Sequence, residues 1–304
     1  MFIGLLSWCV QKLPHRFILR VARGLGTLWY YLIPIRCSVA KSNVRRTLIA
    51  QGHAVNVDEV VLESCRQLTM YALEMLRWNG LEWGSLERDC REFRGLEHYQ
   101  KALEKGRSPV LVSIHQGPFE ATFAILAQRG WPQNSFYKSM SNKAVESFWL
   151  RMRERQGLQQ LPSKNAREAI EAVVKRGETL IFFCDQHLPA HRALVCSFFG
   201  QLAATTPAPV RLALKYDLEI LPVHTHRCSD DPTKHIIEIL APFELQGDPQ
   251  DDDFIFANTE RLNRVFEAWI LEHPEQWLWH HKRFKVHDDP SGWVIPQSLE
   301  HLSH

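Results

Sequence analysis

Residues 109–130, PVLVSIHQGPFEATFAILAQRG, constrain the fold of this chain more than any other stretch. Pro109 to Ile114 is a short apolar run of the kind that forms a strand covered on both faces. Gly117 and Pro118 break it, and Pro118 suits a first helical position, where its missing N–H costs nothing. An apolar helix then runs toward Gly130. A buried strand feeding a helix through a tight turn is the building unit of a parallel α/β sheet, and such sheets bind ligands at the C-terminal ends of their strands. That edge carries His115, with Glu120 five residues on in the first helical turn, where the helix dipole favours a carboxylate. The pair reads as a general base and its orienting group. The bland alternative is a histidine bonded to its own loop and a glutamate that caps the helix.

The rest of the chain repeats the alternation. Strands are predicted at 91–94, 134–138, 179–184, 219–226 and 235–240, and helices at 58–78, 96–105, 142–156, 166–176, 206–216 and 254–271. Asp58 is the candidate N-cap of the first of these helices. The pattern predicts an α/β fold with a mostly parallel central sheet flanked by helices. Three regions are expected: a basic, apolar helical segment over 1–50, an α/β domain over 51–288 and a tail over 289–304. No internal repeat or low-complexity tract is present.

The net charge of +2 conceals an asymmetry. Residues 1–50 hold eight Lys or Arg and no Asp or Glu, leaving 28 basic against 34 acidic residues in the remainder. Together with Trp8, Trp29, Tyr30 and Tyr31, this suggests a segment that associates with an anionic membrane surface; a basic helix packed on an acidic body is the alternative. Phe17 to Ile35 spans nineteen residues but is interrupted by Arg20 and Arg23. It reads as an interfacial helix, with a tilted crossing and snorkelling arginines as the other option. Met1 to Val10 lacks the basic start and cleavage site of a signal peptide. Seven scattered cysteines with no CxxC pair fit reduced thiols rather than a disulfide framework or zinc ribbon. There is no HExxH, and Pro189 interrupts any helix through His187 and His191, so no metal site is expected. Neither a P-loop, nor a dinucleotide fingerprint, nor a nucleic-acid motif is present. No GxSxG elbow or other nucleophile motif exists either, so no covalent intermediate on the chain is expected.

His115 to Glu120 has the spacing His, four residues, then Asp or Glu. Downstream and in order come MRERQG at Met152–Gly157, DQ at Asp185–Gln186, SFFGQLAATTPAP at Ser197–Pro209, LPV at Leu221–Val223 and PEQWLWHHKRFK at Pro274–Lys285. On these motifs the chain resembles the late acyltransferases of bacterial lipid A biosynthesis, within the wider group of glycerolipid acyltransferases. The resemblance covers about Arg20 to Lys285. It implies a glycerol-phosphate-acyltransferase-like fold. It further implies transfer of a fatty acyl chain from an acyl carrier protein thioester to a hydroxyl of a lipid A precursor, at the cytoplasmic face of a bacterial inner membrane, with no cofactor. His115 would be the base and Glu120 its partner. Arg153 matches the family's arginine and would serve the oxyanion or a phosphate; otherwise it is a surface residue of a charge-rich helix. Asp185 and Gln186 would line the site, unless Asp185 merely caps a loop. Arg283 would bind a lipid phosphate or form part of a basic surface. Transfer to another lipid, or a non-catalytic lipid-binding protein of the same fold, are the rival readings.

Overall fold

The computed structural model describes residues 2–137, 139–162 and 166–302. Three helices open the chain: α1 (Phe2–Gln11), α2 (His15–Leu32) and α3 (Cys37–Val44), the last running into a π-helical turn at Arg45–Ile49. Helix α4 (Val57–Trp78) follows. Its N-cap is Asn56, whose side chain accepts from the Asp58 and Glu59 N–H groups, so Asp58 lies inside the first turn instead of capping it.

The body then alternates β1 (Cys90–Arg94), α5 (Leu96–Glu104), β2 (Val110–Ser113), α6 (Phe119–Gln128), β3 (Gln133–Tyr137), α7 (Lys143–Arg155), β4 (Leu158–Pro162), α8 (Ala166–Lys175) and β5 (Thr179–Phe183). After these come β6 (Leu194–Phe198), β7 (Gln201–Thr205), α9 (Ala208–Tyr216), β8 (Ile220–Arg227), β9 (His235–Ile239) and α10 (Phe254–Glu272). Seven strands form one sheet in the order β1-β9-β8-β2-β5-β3-β4. Neighbours are parallel except β8 and β9, which pair antiparallel. The sheet is therefore mostly parallel, as expected, with its β1–β9 edge reversed.

Alternate residues of β2 feed different cores. Val110 and Val112 pack with α3, α4, α9 and α10 residues such as Ala40, Val61, Val210 and Phe266. Leu111 packs on the other face with Phe123 and Ile125 of α6 and Tyr99 of α5. That two-sided burial is why the strand reads as a continuous apolar run. The hairpin β6–β7 lies outside the main sheet and pairs antiparallel. Neither it nor β4 is evident from the sequence pattern. The end of the expected strand at Lys138 lies outside the described residues.

Among the described residues no helix is long and apolar enough to cross a membrane. Helix α2 instead lies along α4. Four of the eight basic residues before position 51 pair with acids later in the chain: Arg16 with Asp231, Arg23 with Glu63, Lys41 with Asp58 and Arg46 with Asp288. The outward side is apolar: Leu25, Leu28, Leu32, Ile33 and Ile35 are 44–70% exposed.

Candidate active site

The strand register decides which carboxylate His115 meets. Strands β2 and β5 are parallel neighbours in which Val110 faces Leu180 and Ser113 faces Phe183. Continuing that offset past both C-terminal ends brings His115 beside Asp185. His115 Nδ1 lies 2.8 Å from Asp185 Oδ1, and the His115 backbone N–H donates to Oδ2 at 3.0 Å. The Trp277 indole N–H donates to the same Oδ2 at 2.8 Å. Burial alone would raise the Asp185 carboxyl, but the His115 ring and these donors outweigh it and hold the group well below the usual carboxylate range. An ionised Asp185 accepting from Nδ1–H leaves the lone pair of His115 on Nε2. The Gln186 side-chain nitrogen sits 3.3 Å from that Nε2.

The turn after β2 fits closely. Gly117 has φ +56°, and a Cβ there would stand 2.8 Å from the Thr225 carbonyl oxygen, so both backbone conformation and space call for glycine. Residues 276–278 run alongside: Gly117 N–H donates to the Gln276 carbonyl at 3.1 Å and Leu278 N–H to the His115 carbonyl at 3.1 Å. This contact presents the Trp277 indole to Asp185.

Glu120 does not hold the imidazole. Its carboxylate is buried in the first turn of α6 and forms a two-point pair with Arg153, with Arg153 Nε 3.0 Å from Oε2 and Nη2 on Oε1. The Arg153 guanidinium also donates to Gln160 Oε1 at 2.9 Å and stacks 3.4 Å from the Trp149 ring centroid. The expected role of Glu120 as orienter is thus corrected. Five residues along a turn and helix start carry its side chain toward α7, whereas Asp185 arrives directly opposite on the next strand. Arg153 is equally not a surface arginine, being only 5% exposed. The Tyr71 hydroxyl is buried near the pair; burial first, then the Glu120 charge, push its pKa well above the ordinary value.

His115, Glu120, Arg153 and Gln186 all line one cavity of about 490 Å³. Its other walls are mainly apolar, with Met75, Phe119, Phe136, Met140, Trp149, Ile170, Ile181, Phe183 and Leu188. The His115 ring packs 4.7 Å from Phe183 and 4.9 Å from Phe119, centroid to centroid. Arg192 also lines the cavity, is exposed, and makes no ion pair among the described residues. Arg283 does not face a phosphate-binding surface. It is fully buried, and its guanidinium donates to the Gln186 carbonyl at 3.1 Å, to Thr205 Oγ1 at 2.7 Å and to the Ala204 carbonyl. Burial lowers its pKa to about 10. It braces the Asp185–Gln186 loop against β7. Trp149, Gln160, Arg192 and Trp277 went unmarked as single residues in the sequence, and only Trp277 lies in a recognisable motif.

The protein is thus an α/β protein with an imidazole held by a buried carboxylate at the rim of a parallel sheet, opening on a mainly apolar cavity. The model of the bacterial lipid A biosynthesis acyltransferase family matches residues 1–286. The chain belongs to that family. A lipid A biosynthesis acyltransferase of Haemophilus influenzae is 27% identical over 188 residues, which span 62% of this chain but only 57% of that protein. The lipid A biosynthesis palmitoleoyltransferase of Escherichia coli K12 is 25% identical over 283 residues, 92% of this chain and 88% of the relative. A phosphatidylinositol mannoside acyltransferase of Mycolicibacterium smegmatis is 24% identical over 226 residues, 72% and 70% of the two chains. Family membership makes the chain an acyltransferase of lipid A biosynthesis with a lipid acceptor.

Proposed function

We propose that the protein moves a fatty acyl chain from an acyl carrier protein thioester to a hydroxyl of a lipid A precursor, by direct attack with His115 as general base. The observation that carries this reading is the 2.8 Å contact between His115 Nδ1 and Asp185, which leaves Nε2 as the basic nitrogen at the cavity. The acceptor hydroxyl gives its proton to Nε2 as its oxygen bonds to the thioester carbonyl carbon. When the carbon–sulfur bond breaks, the imidazolium returns that proton to the leaving sulfur. Asp185 holds the tautomer and stabilises the transient cation, as a triad carboxylate does.

The oxyanion needs donors. Arg153 keeps N–H groups beyond those given to Glu120 and Gln160, and Gln186 offers its amide beside the base. In this reading the Glu120–Arg153 pair is a fixed polar wall of the acyl cavity. Arg192 at the same cavity offers its charge to a phosphate of donor or acceptor. The exposed apolar side of the N-terminal helices supports seating on the cytoplasmic face of the inner membrane. Because half of the segment's cations are neutralised by acids later in the chain, apolar contact contributes more there than charge.

The test is expression of wild type and His115→Ala in a bacterial strain lacking its own late acyltransferases, followed by mass spectrometry of the extracted lipids. Wild type adds an acyl chain to lipid A and His115→Ala does not. A chain still added by His115→Ala removes His115 as the base. Folded wild type that acylates no lipid, with acyl carrier protein thioester supplied, overturns the transfer reading.

A further inference from the structure

Three side chains far apart in sequence converge behind the active site. Cys37 begins α3, Cys65 lies within α4, and His280 follows the segment that carries Trp277. Cys37 Sγ and Cys65 Sγ are 3.8 Å apart, and Cys65 Sγ is 3.3 Å from His280 Nε2. All three potential donor atoms lie within 4.8 Å of one another, and the residues are 3%, 0% and 4% exposed. The Trp29 ring covers the imidazole, with centroids 4.7 Å apart.

The Cys37–Cys65 and Cys65–His280 separations match a tetrahedral metal centre, and the Cys37 and His280 donor atoms lie within 4.8 Å of each other. A zinc ion about 2.3 Å from each sulfur and about 2.0 Å from an imidazole nitrogen holds its sulfurs about 3.8 Å apart, and sulfur and nitrogen about 3.5 Å apart. We propose that Cys37, Cys65 and His280 form a binding site for a thiophilic divalent cation of the zinc class. Two thiolates and one imidazole are a soft donor set that selects zinc over magnesium or calcium. Without an ion, burial and the neighbouring Cys37 push the Cys65 thiol well above its usual range. With one, two thiol protons leave and the dication cancels both thiolate charges, so the buried centre is neutral. The three protein donors leave a coordination position for water.

The placement gives the ion a structural task. The residues just before His280 hold the catalytic edge: Trp277 donates to Asp185 and Leu278 to the His115 carbonyl. Asn43 of α3 already ties to the Trp279 carbonyl at 2.8 Å, and Ser64 of α4 to the Trp277 carbonyl at 3.1 Å. A metal on Cys37, Cys65 and His280 clamps the same N-terminal helices to the same segment. The inference does not depend on which acyl donor or acceptor the enzyme uses.

The experiment titrates the full-length protein, reduced and stripped with chelator, with Co²⁺. Wild type develops near-ultraviolet sulfur-to-cobalt charge transfer and tetrahedral visible bands that saturate at one equivalent and are bleached by Zn²⁺. Cys37→Ser and Cys65→Ser lose these bands, and Cys228→Ser keeps them. Absent bands in reduced wild type, or bands that survive both Cys37→Ser and Cys65→Ser, overturn the proposal. Should the serine variants fail to fold, zinc-edge X-ray absorption of zinc-loaded wild type decides. Two sulfurs at about 2.3 Å with nitrogen at about 2.0 Å support the site, and a shell of nitrogen and oxygen alone, or no retained zinc, sinks it.

Discussion

His115 Nδ1 and Asp185 Oδ1 lie 2.8 Å apart although 70 residues separate them in the chain. The separation equals the offset of the β2–β5 pairing, in which residue 113 faces residue 183. Sheet register therefore delivers imidazole and carboxylate together, and Trp277 fixes the second carboxylate oxygen. The arrangement makes Asp185, rather than Glu120, the residue whose amide should damage chemistry most cleanly.

Asp185→Asn keeps the shape but ceases to favour the tautomer with the proton on Nδ1. Acyl transfer falls by about 10²–10⁴-fold, while the thermal midpoint moves little relative to that loss. Trp277→Phe removes one donor to Asp185 and lowers the rate by roughly tenfold, the worth of about one hydrogen bond to a charge. Steady-state transfer assays alongside thermal melts check both. An Asp185→Asn enzyme within a few-fold of wild type would falsify the orienting role.

Glu120 and Arg153 form a pair that is 2% and 5% exposed. Glu120→Ala strands a buried cation and costs about 3–5 kcal/mol of stability. Substituting both residues together, as Glu120→Leu with Arg153→Met, restores much of that loss because no charge remains uncompensated. Chemical denaturation of Glu120→Leu, Arg153→Met and the double variant measures the coupling. Single and double losses that simply add would show that the pair does not act as a unit.

Acid should weaken the fold through its buried histidines. Burial, with neighbouring positive groups, lowers His224 to about 3 and His226, His235 and His281 to about 4. Each stays neutral in the folded protein where the unfolded chain, with a value of about 6.5, takes up a proton. Stability is complete above pH of about 6.5 and declines toward pH of about 4, each group contributing up to about 1.4 kcal/mol per pH unit. His226 stacks 4.1 Å from His273 and 5.1 Å from His224, so His226→Gln flattens this slope by about one proton. Melts between pH 7 and pH 4 read it directly; an unchanged slope in His226→Gln refutes the assignment.

The apolar side of the N-terminal helices predicts vesicle binding that resists salt. Leu28→Ser with Leu32→Ser and Ile35→Ser removes side chains that are 49%, 70% and 65% exposed. Binding to phospholipid vesicles drops by at least about tenfold, and the melting temperature changes little because none of the three belongs to a buried core cluster. Flotation with and without high salt separates the contributions. Release of wild type by salt alone would assign the contact to charge.

Much of the architecture follows from local patterns. The apolar run at 109–114, which forms the strand Val110–Ser113, the turn at Gly117 and the helical periodicity of α4 and α10 are short-range signals, and each yields the element it promises. His115, Glu120, Arg153 and Gln186 line one cavity, although Arg153 comes from the last turn of α7 and not from a strand end or helix start. The pairing among them is another matter. A five-residue spacing puts Glu120 near His115 in sequence but aims it at Arg153. Asp185 reaches the imidazole only because β2 and β5 are neighbours in a given register, and Arg283 is basic in sequence yet buried against carbonyls of Gln186 and Ala204.

The sequence by itself determined the strand–turn–helix unit, the alternation that makes a mostly parallel sheet and the family motifs, because these depend on residues within a few turns of one another. Only the tertiary structure decided which carboxylate holds His115, that half of the N-terminal cations pair with acids later in the chain, and that Cys37, Cys65 and His280 meet. Those outcomes depend on strand order, register and helix packing, which bring together side chains that no local pattern relates.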